Sequence, residues 1–322
     1  MPLSLVTPSL NQLDFLRQCV DNVRRFAPSI EHVVADGAST DGTVAFLDAA
    51  RTAGDDHLRY HSAPDRGLYD ALNLGFALTR GDLLGYLNCD DLLLPWTIDV
   101  VTAAFERQPE VDLVYGDAIE WETAPDRCSL VVLPPPALLG RHLERGGHLP
   151  QPAVFFRRRL FDEMCGFDPA YRLLGDHDFW LRAIRGGARC CKVWEFIAIQ
   201  RIVPGQLMQR LGATVETERG AIHRRLDLPV PSARDRRHVA RLYALMHRFG
   251  IAGLAMQPLF DTAQPIRTTW PWQRTVRSHA LEFWPADSWR RALRSSTRDW
   301  RYLRPTAEGR SIFPATGETV AV

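Results

Sequence analysis

Four short apolar runs open this chain of 322 residues, each followed by polar turn residues and then by a helix-spaced apolar pattern. Leu3 to Thr7 is closed by Pro8-Ser9-Leu10-Asn11, after which Leu13, Leu16, Val20 and Val23 recur at helical spacing. Glu31 to Asp36 ends in Gly37-Ala38-Ser39-Thr40-Asp41-Gly42-Thr43 before another helix, with Ser39, Thr40 and Asp41 as turn and N-cap residues. Leu58 to Ser62 runs into Pro64-Asp65-Arg66-Gly67 and a helix from about Tyr69; Leu83 to Leu87 runs into Asn88-Cys89-Asp90-Asp91. Strands alternating with helices predict a largely parallel sheet. Such sheets bind ligands at the carboxyl ends of their strands, which here carry Thr7, Asp36, Asp65 with Arg66, and Asp90 with Asp91.

Two adjacent carboxylates repel each other unless something positive holds them. A hard divalent cation shared with substrate phosphates is the natural partner for Asp90 and Asp91. Asp36 offers an acceptor to the N3–H of a uracil or thymine ring, and Arg66 a forked donor to phosphate. Asp70 and Asn73 share one helical face and are expected to look toward the ligand, with N-terminal helix capping the alternative for Asp70.

In order and spacing, these motifs resemble those of glycosyltransferase family 2: Val6-Thr7-Pro8-Ser9, Ala35-Asp36-Gly37, Asp65 to Asn73, Asn88-Cys89-Asp90-Asp91, Gln151 to Arg158, and Asp176-His177-Asp178-Phe179-Trp180-Leu181-Arg182. The resemblance covers about residues 3 to 205. It implies an α/β fold of GT-A type, a nucleotide-sugar-binding sheet with helices on both faces. It also implies that Thr7 and Pro8 wall the base, and that Asp65, Arg66, Asp70, Asn73, Asn88 and Asp90 contact the donor. Asp90 and Asp91 then hold Mn²⁺ or Mg²⁺. The family motif is usually Asp-X-Asp; Asn88 stands at its first position and adds no charge.

Inverting transfer needs a base for the acceptor hydroxyl. Asp176 and Asp178 are the candidates; the resemblance favours Asp176, with Asp178 supporting it and pairing with Arg182. Two positions depart from the family. Gly175 stands where relatives carry a Glu, and Val203 where an Arg-X-His element would supply its His. The Gln-X-X-Arg-Trp signature of processive members is missing, so single-sugar addition is expected. The implied donor is a UDP- or dTDP-linked sugar and the implied acceptor a saccharide or lipid-linked saccharide.

The balance of 39 Lys+Arg against 38 Asp+Glu offers no electrostatic case for nucleic acid. Six cysteines without paired CxxC spacing argue against zinc and for a reducing compartment; Cys190 and Cys191 read as part of a half-buried strand. With neither a signal-peptide pattern nor a run of about 18 apolar residues, the expectation is a cytoplasmic protein that is not integral to the membrane.

The catalytic domain is expected over residues 1–210, and a mainly helical, basic and aromatic extension over 211–322. Between Trp270 and Arg304, Trp289, Leu293, Ser296, Trp300 and Leu303 would share one helical face flanked by arginines. That stripe reads equally as an interfacial membrane helix on anionic lipid and as packing on the catalytic domain. Two other functions compete with transfer: a nucleotidyltransferase, which normally needs a Gly-rich basic loop after the first strand, and a catalytically dead sugar-nucleotide-binding protein, favoured by Gly175 and Val203.

Overall fold

The computed structural model describes residues 1–123 and 127–241. The Trp270–Arg304 stripe lies outside the described residues. The predicted alternation is present: β1 (Leu3–Ser9), α1 (Leu13–Phe26), β2 (Glu31–Asp36), α2 (Thr43–Thr52), β3 (Leu58–Ser62), α3 (Leu68–Leu78) and β4 (Leu83–Tyr86). Next come β5 (Leu92–Leu93), α4 (Thr97–Arg107), β6 (Leu113–Glu122), β7 (Arg127–Val131) and α5 (Pro136–Glu144). A 3-10 turn (Gln151–Ala153) leads into β8 (Val154–Arg157), α6 (Arg158–Glu163), α7 (Gly175–Arg185), β9 (Cys190–Ile202), α8 (Leu207–Arg210) and α9 (Gly212–Arg225).

One sheet runs in the order β3-β2-β1-β4-β8-β6-β9-β5, with β7 paired to β6. The half built by the first four strands of this order is parallel, with Val6 opposite both Val33 and Tyr86. Beyond β4 the sheet is mixed, because β8 runs antiparallel to both β4 and β6 while β9 returns parallel to β6. The largely parallel expectation therefore holds for the β3-β2-β1-β4 half only; hydrophobic periodicity marks a strand but not its direction.

Alternate residues of β2 show why helices cover both faces. Val33 and Ala35 pack with Leu72 and Phe76 of α3, whereas Val34 packs with Leu16 and Val20 of α1 and Leu47 of α2. At the junction of the two halves, Phe76, Phe156, Phe161, Phe167 and Phe179 form an aromatic cluster, with ring centroids 4.9 Å apart for both Phe76–Phe161 and Phe167–Phe179. Edge-on and tilted rings at such distances add to the burial energy. This cluster fixes α7 against α3 and β8, and so sets the height of the acids at the start of α7.

Candidate active site

The polar ends of β1 to β4 meet at one side of the sheet, but their side chains divide into those that face the crevice and those that hold it together. Thr7 is fully buried, and its hydroxyl lies 2.8 Å from Nε2 of His32 and 3.6 Å from Sγ of Cys19. Burial pushes the His32 imidazole down to about 4 and the Cys19 thiol up to about 12, so both are neutral partners in a core contact. The Thr7 hydroxyl is thus engaged in the core between β1, β2 and α1, and Pro8 is likewise buried within β1.

Asp36 is 2% exposed and accepts from Ser39 N (3.0 Å), Ser39 Oγ (2.5 Å) and Ser62 Oγ (2.6 Å). It ties the turn after β2 to the end of β3, leaving little of its carboxylate to a ligand. Asp65 lies against the same turn: a Cβ on Gly37 would come within 2.7 Å of its Oδ2, so any larger residue there would displace this carboxylate. Its Oδ1 accepts from Gly67 N at 2.8 Å. Arg66 and Asp70 pair with each other at 2.6 Å across an Arg66 side chain that is 76% exposed and can swing to a phosphate. Asn73 does not face the crevice. Its amide clips both backbone groups of Phe167, accepting at 3.0 Å and donating at 2.8 Å, which fastens α3 to the loop before α7.

The loop after β4 separates the two neighbouring acids. Asp91 is 2% exposed; Oδ2 accepts from Gln151 Nε2 and Oδ1 from Arg201 N, both at 2.8 Å. Burial, reinforced by the charge of Asp90, pushes its carboxyl well above the usual range. Both oxygens accept from protein donors that join the 3-10 turn and β9, so in this structure Asp91, expected as a metal ligand, serves as an anchor. Asp90 is half-buried, and Gln206 Nε2 donates to its Oδ2 at 2.5 Å. The Oδ1 of Asn88, two residues earlier, is buried without a hydrogen-bond partner.

Among the described residues no three His, Cys, Asp or Glu side chains converge for a metal. The orphaned Asn88 oxygen and the half-buried Asp90 carboxylate are nevertheless oxygen donors of the type that suits Mn²⁺ or Mg²⁺, which commonly take one or two protein carboxylates and complete their shell with phosphates and water. Gln206, three residues past Val203, reaches Asp90, and Arg201, 2% exposed, sets its guanidinium on the carbonyls of Asp90 and Cys89.

The acids of α7 divide in the same way. Asp178 is fully buried and ion-paired on both sides, to Arg182 at 2.8 Å and to Arg225 of α9. The pairing with Arg182 expected from the sequence is present, and with Arg225 on its other oxygen Asp178 is held as a structural ion pair. Asp176 is half-buried: Oδ1 accepts from His177 N (2.7 Å) and Tyr69 Oη (3.1 Å), and Oδ2 from Tyr86 Oη (3.3 Å). Burial lifts its carboxyl above the usual range, partly offset by those three donors, and in turn burial and the Asp176 charge push both tyrosine hydroxyls well up. A carboxylate lifted toward neutral pH is suited to accepting a proton.

Gly175 also gains a reason. A Cβ there would lie 2.6 Å from the Tyr69 ring, so a Glu at this position and Tyr69 beneath it exclude each other. Tyr69 follows directly from the Asp65-Arg66-Gly67 turn, and Tyr86 ends β4 just before Asn88, so Asp176 stands between the two donor-side motifs. Sequence reasoning missed Tyr69, Tyr86, Gln151 and Gln206. Tyr69 and Tyr86 sit in a helix start and an apolar run, Gln151 opens one quoted motif, and Gln206 lies just past the reach of the resemblance, so none carries a signal of its own.

The sequence profile described as Glycosyl transferase family 2 matches residues 4–164. An uncharacterised glycosyltransferase of Mycobacterium tuberculosis is 33% identical over 184 residues, 56% of this chain and 68% of its own. A PGL/p-HBAD biosynthesis glycosyltransferase of Mycobacterium bovis is 34% identical over 194 residues, 58% of this chain and 70% of its own. Among solved structures, S. aureus TarS 1–349 with UDP-GlcNAc superposes with a TM-score of 0.58 at 15% identity, covering 81% of this chain and 77% of that one. A second TarS 1–349 structure is matched over 60% of its length. The mannosyltransferase PcManGT of Pyrobaculum calidifontis, in complex with GDP-Man and Mn²⁺, gives 0.54 at 16% identity over 94% of this chain and 84% of its own. The half-parallel sheet, the acids at its strand ends and these matches agree: the chain belongs to glycosyl transferase family 2 and is a glycosyltransferase of GT-A fold.

Proposed function

We propose that this glycosyltransferase moves one sugar, with inversion, from a nucleoside-diphosphate sugar to a hydroxyl of a saccharide or lipid-linked saccharide, with Asp176 as the base. The observation that carries this reading is the Asp176 carboxylate itself, half-buried, lifted in pKa and held by Tyr69 and Tyr86 between the two donor-side motifs. Asp176 takes the proton of the acceptor hydroxyl while that oxygen bonds to the anomeric carbon. The bond from this carbon to the diphosphate breaks on the opposite side, and the nucleoside diphosphate leaves. Asp90 and Asn88 would hold Mn²⁺ or Mg²⁺, which supplies neutralising charge to the departing diphosphate. Arg66, released from Asp70, meets the same phosphates from the surface, and Asp65 and Asp36 shape the base and ribose end.

TarS bound to UDP-GlcNAc and PcManGT bound to GDP-Man and Mn²⁺ support a nucleotide-sugar donor and a divalent cation. The mycobacterial relative in PGL/p-HBAD biosynthesis supports a biosynthetic glycan acceptor. A catalytically dead binding protein is less well supported, since Tyr69 accounts for Gly175 and Gln206 reaches the acid that a histidine would otherwise approach. Incubating the full chain with labelled UDP-, dTDP- and GDP-sugars, with Mn²⁺ or with chelator, tests the proposal. Cation-dependent transfer or donor hydrolysis with one nucleotide class is expected; binding without turnover across the panel would reject it.

A further inference from the structure

Helix α9 lies beyond residues 4–164, the reach of the family profile, yet it meets the segment that carries the base at three places. Glu218, 8% exposed, accepts three main-chain hydrogen bonds: Oε1 from Arg172 N at 2.7 Å, and Oε2 from Leu173 N at 3.0 Å and Leu174 N at 2.9 Å. The His223 and His177 rings stack with centroids 6.4 Å apart, and Arg225 bridges Asp178 and Asp168. Helix α7 starts at the next residue, Gly175, and has no side-chain cap of its own.

Leu173 is the link to the chemistry. Its N–H is held by Glu218, while its carbonyl accepts from Tyr69 Oη at 2.8 Å, and the same hydroxyl lies 3.1 Å from Oδ1 of Asp176. Glu218 also holds the N–H of Leu174, which shares a peptide unit with the Leu173 carbonyl, so a buried carboxylate on α9 fixes the group that competes with Asp176 for the one Tyr69 hydroxyl proton. We propose that α9 braces the base and that Glu218 is a positioning residue for Asp176, an inference that rests on Asp176 being the base. Charge-assisted bonds to three N–H groups offset the desolvation of Glu218. A glutamine of the same shape fails here, because its NH₂ group must face N–H donors and so loses at least one of these bonds.

The test compares Glu218→Gln with wild type, using the sugar nucleotide identified in the donor panel for turnover and UDP with Mn²⁺ for binding. The brace predicts that kcat falls about 10- to 10²-fold, the scale of a misplaced reacting group, while donor KM and UDP affinity stay unchanged. Tyr69→Phe removes that hydroxyl, so the double variant loses no more than the worse single one. Glu216→Gln, on the exposed side of α9, retains full turnover. If Glu218→Gln does not fold, Glu218→Asp, one methylene short but still anionic, carries the same expectation. Unchanged kcat, a parallel loss of UDP affinity, or additive losses with Tyr69→Phe would overturn the brace. Asp176→Asn in the same assay separates the two ideas: if it retains transfer, the base reading fails; if it alone loses transfer, only the brace fails.

Discussion

Asp90 and Asp91 are chemically alike and one residue apart, yet burial separates them. Asp91 spends both oxygens on Gln151 and Arg201, whereas Asp90 sits half-exposed beside the unpartnered Asn88 oxygen. We expect Asp90→Ala to abolish Mn²⁺-stimulated UDP binding with a near-normal Tm. Asp91→Ala strands buried donors, at about 1–3 kcal/mol each, and should lower Tm first; calorimetry and metal-dependent UDP binding check both, and the reverse pattern would restore Asp91 as the ligand. The Tyr86 hydroxyl stabilises the ionised form of Asp176. The base works when ionised, so activity is lost as pH falls through its pKa. Tyr86→Phe removes a donor, raises that pKa further and moves the acid limb of kcat to higher pH; a limb that stays or moves down contradicts the assignment. The sequence singles out Asp176 and the Asn88–Asp91 loop as candidates. It could not tell which acid of a pair turns inward, since that depends on donors such as Arg201 and Arg225, which are distant in the chain.

At the scale of elements, the strand–helix units of residues 3–86 were legible because each buries a regular apolar face. Side-chain direction at the strand ends was not. Thr7 and Asn73 resemble crevice residues by position, but one turns to His32 under the sheet and the other clips Phe167. Gly175 looked like a lost carboxylate; packed on Tyr69, it is a condition for the base network. Gly175→Ala places a methyl 2.6 Å from the Tyr69 ring. We expect about 1–3 kcal/mol of overpacking strain and a loss of kcat as Tyr69 is pushed from Asp176; thermal denaturation and turnover assays check this, and a silent substitution would contradict it.

The whole molecule couples a parallel half to a mixed half that carries Asp176, joined by the aromatic cluster around Phe167 and backed by α9. Residues 211–225, assigned from sequence to the extension, thus pack on the catalytic body. Among the described residues no helix is long and apolar enough to cross a membrane. The arginine-tryptophan stripe of 270–304 lies outside the described residues, and its sequence carries its own prediction. Anionic headgroups attract each nearby basic residue by roughly 1 kcal/mol, so the full chain should sediment with anionic vesicles at low salt and truncation before Trp270 should release it. Equal sedimentation with neutral vesicles would assign the stripe to protein packing.

The proposed chemistry turns on which acid of α7 takes the proton. Single-turnover transfer and UDP–Mn²⁺ binding, measured side by side for Asp176→Asn and Asp178→Asn, decide it. The predicted result is that Asp176→Asn lowers transfer by about 10²-fold or more with nucleotide binding intact, while Asp178→Asn lowers Tm and leaves the transfer rate of the folded fraction near wild type. A full rate in Asp176→Asn, or a folded Asp178→Asn variant that binds UDP but no longer transfers, would contradict it.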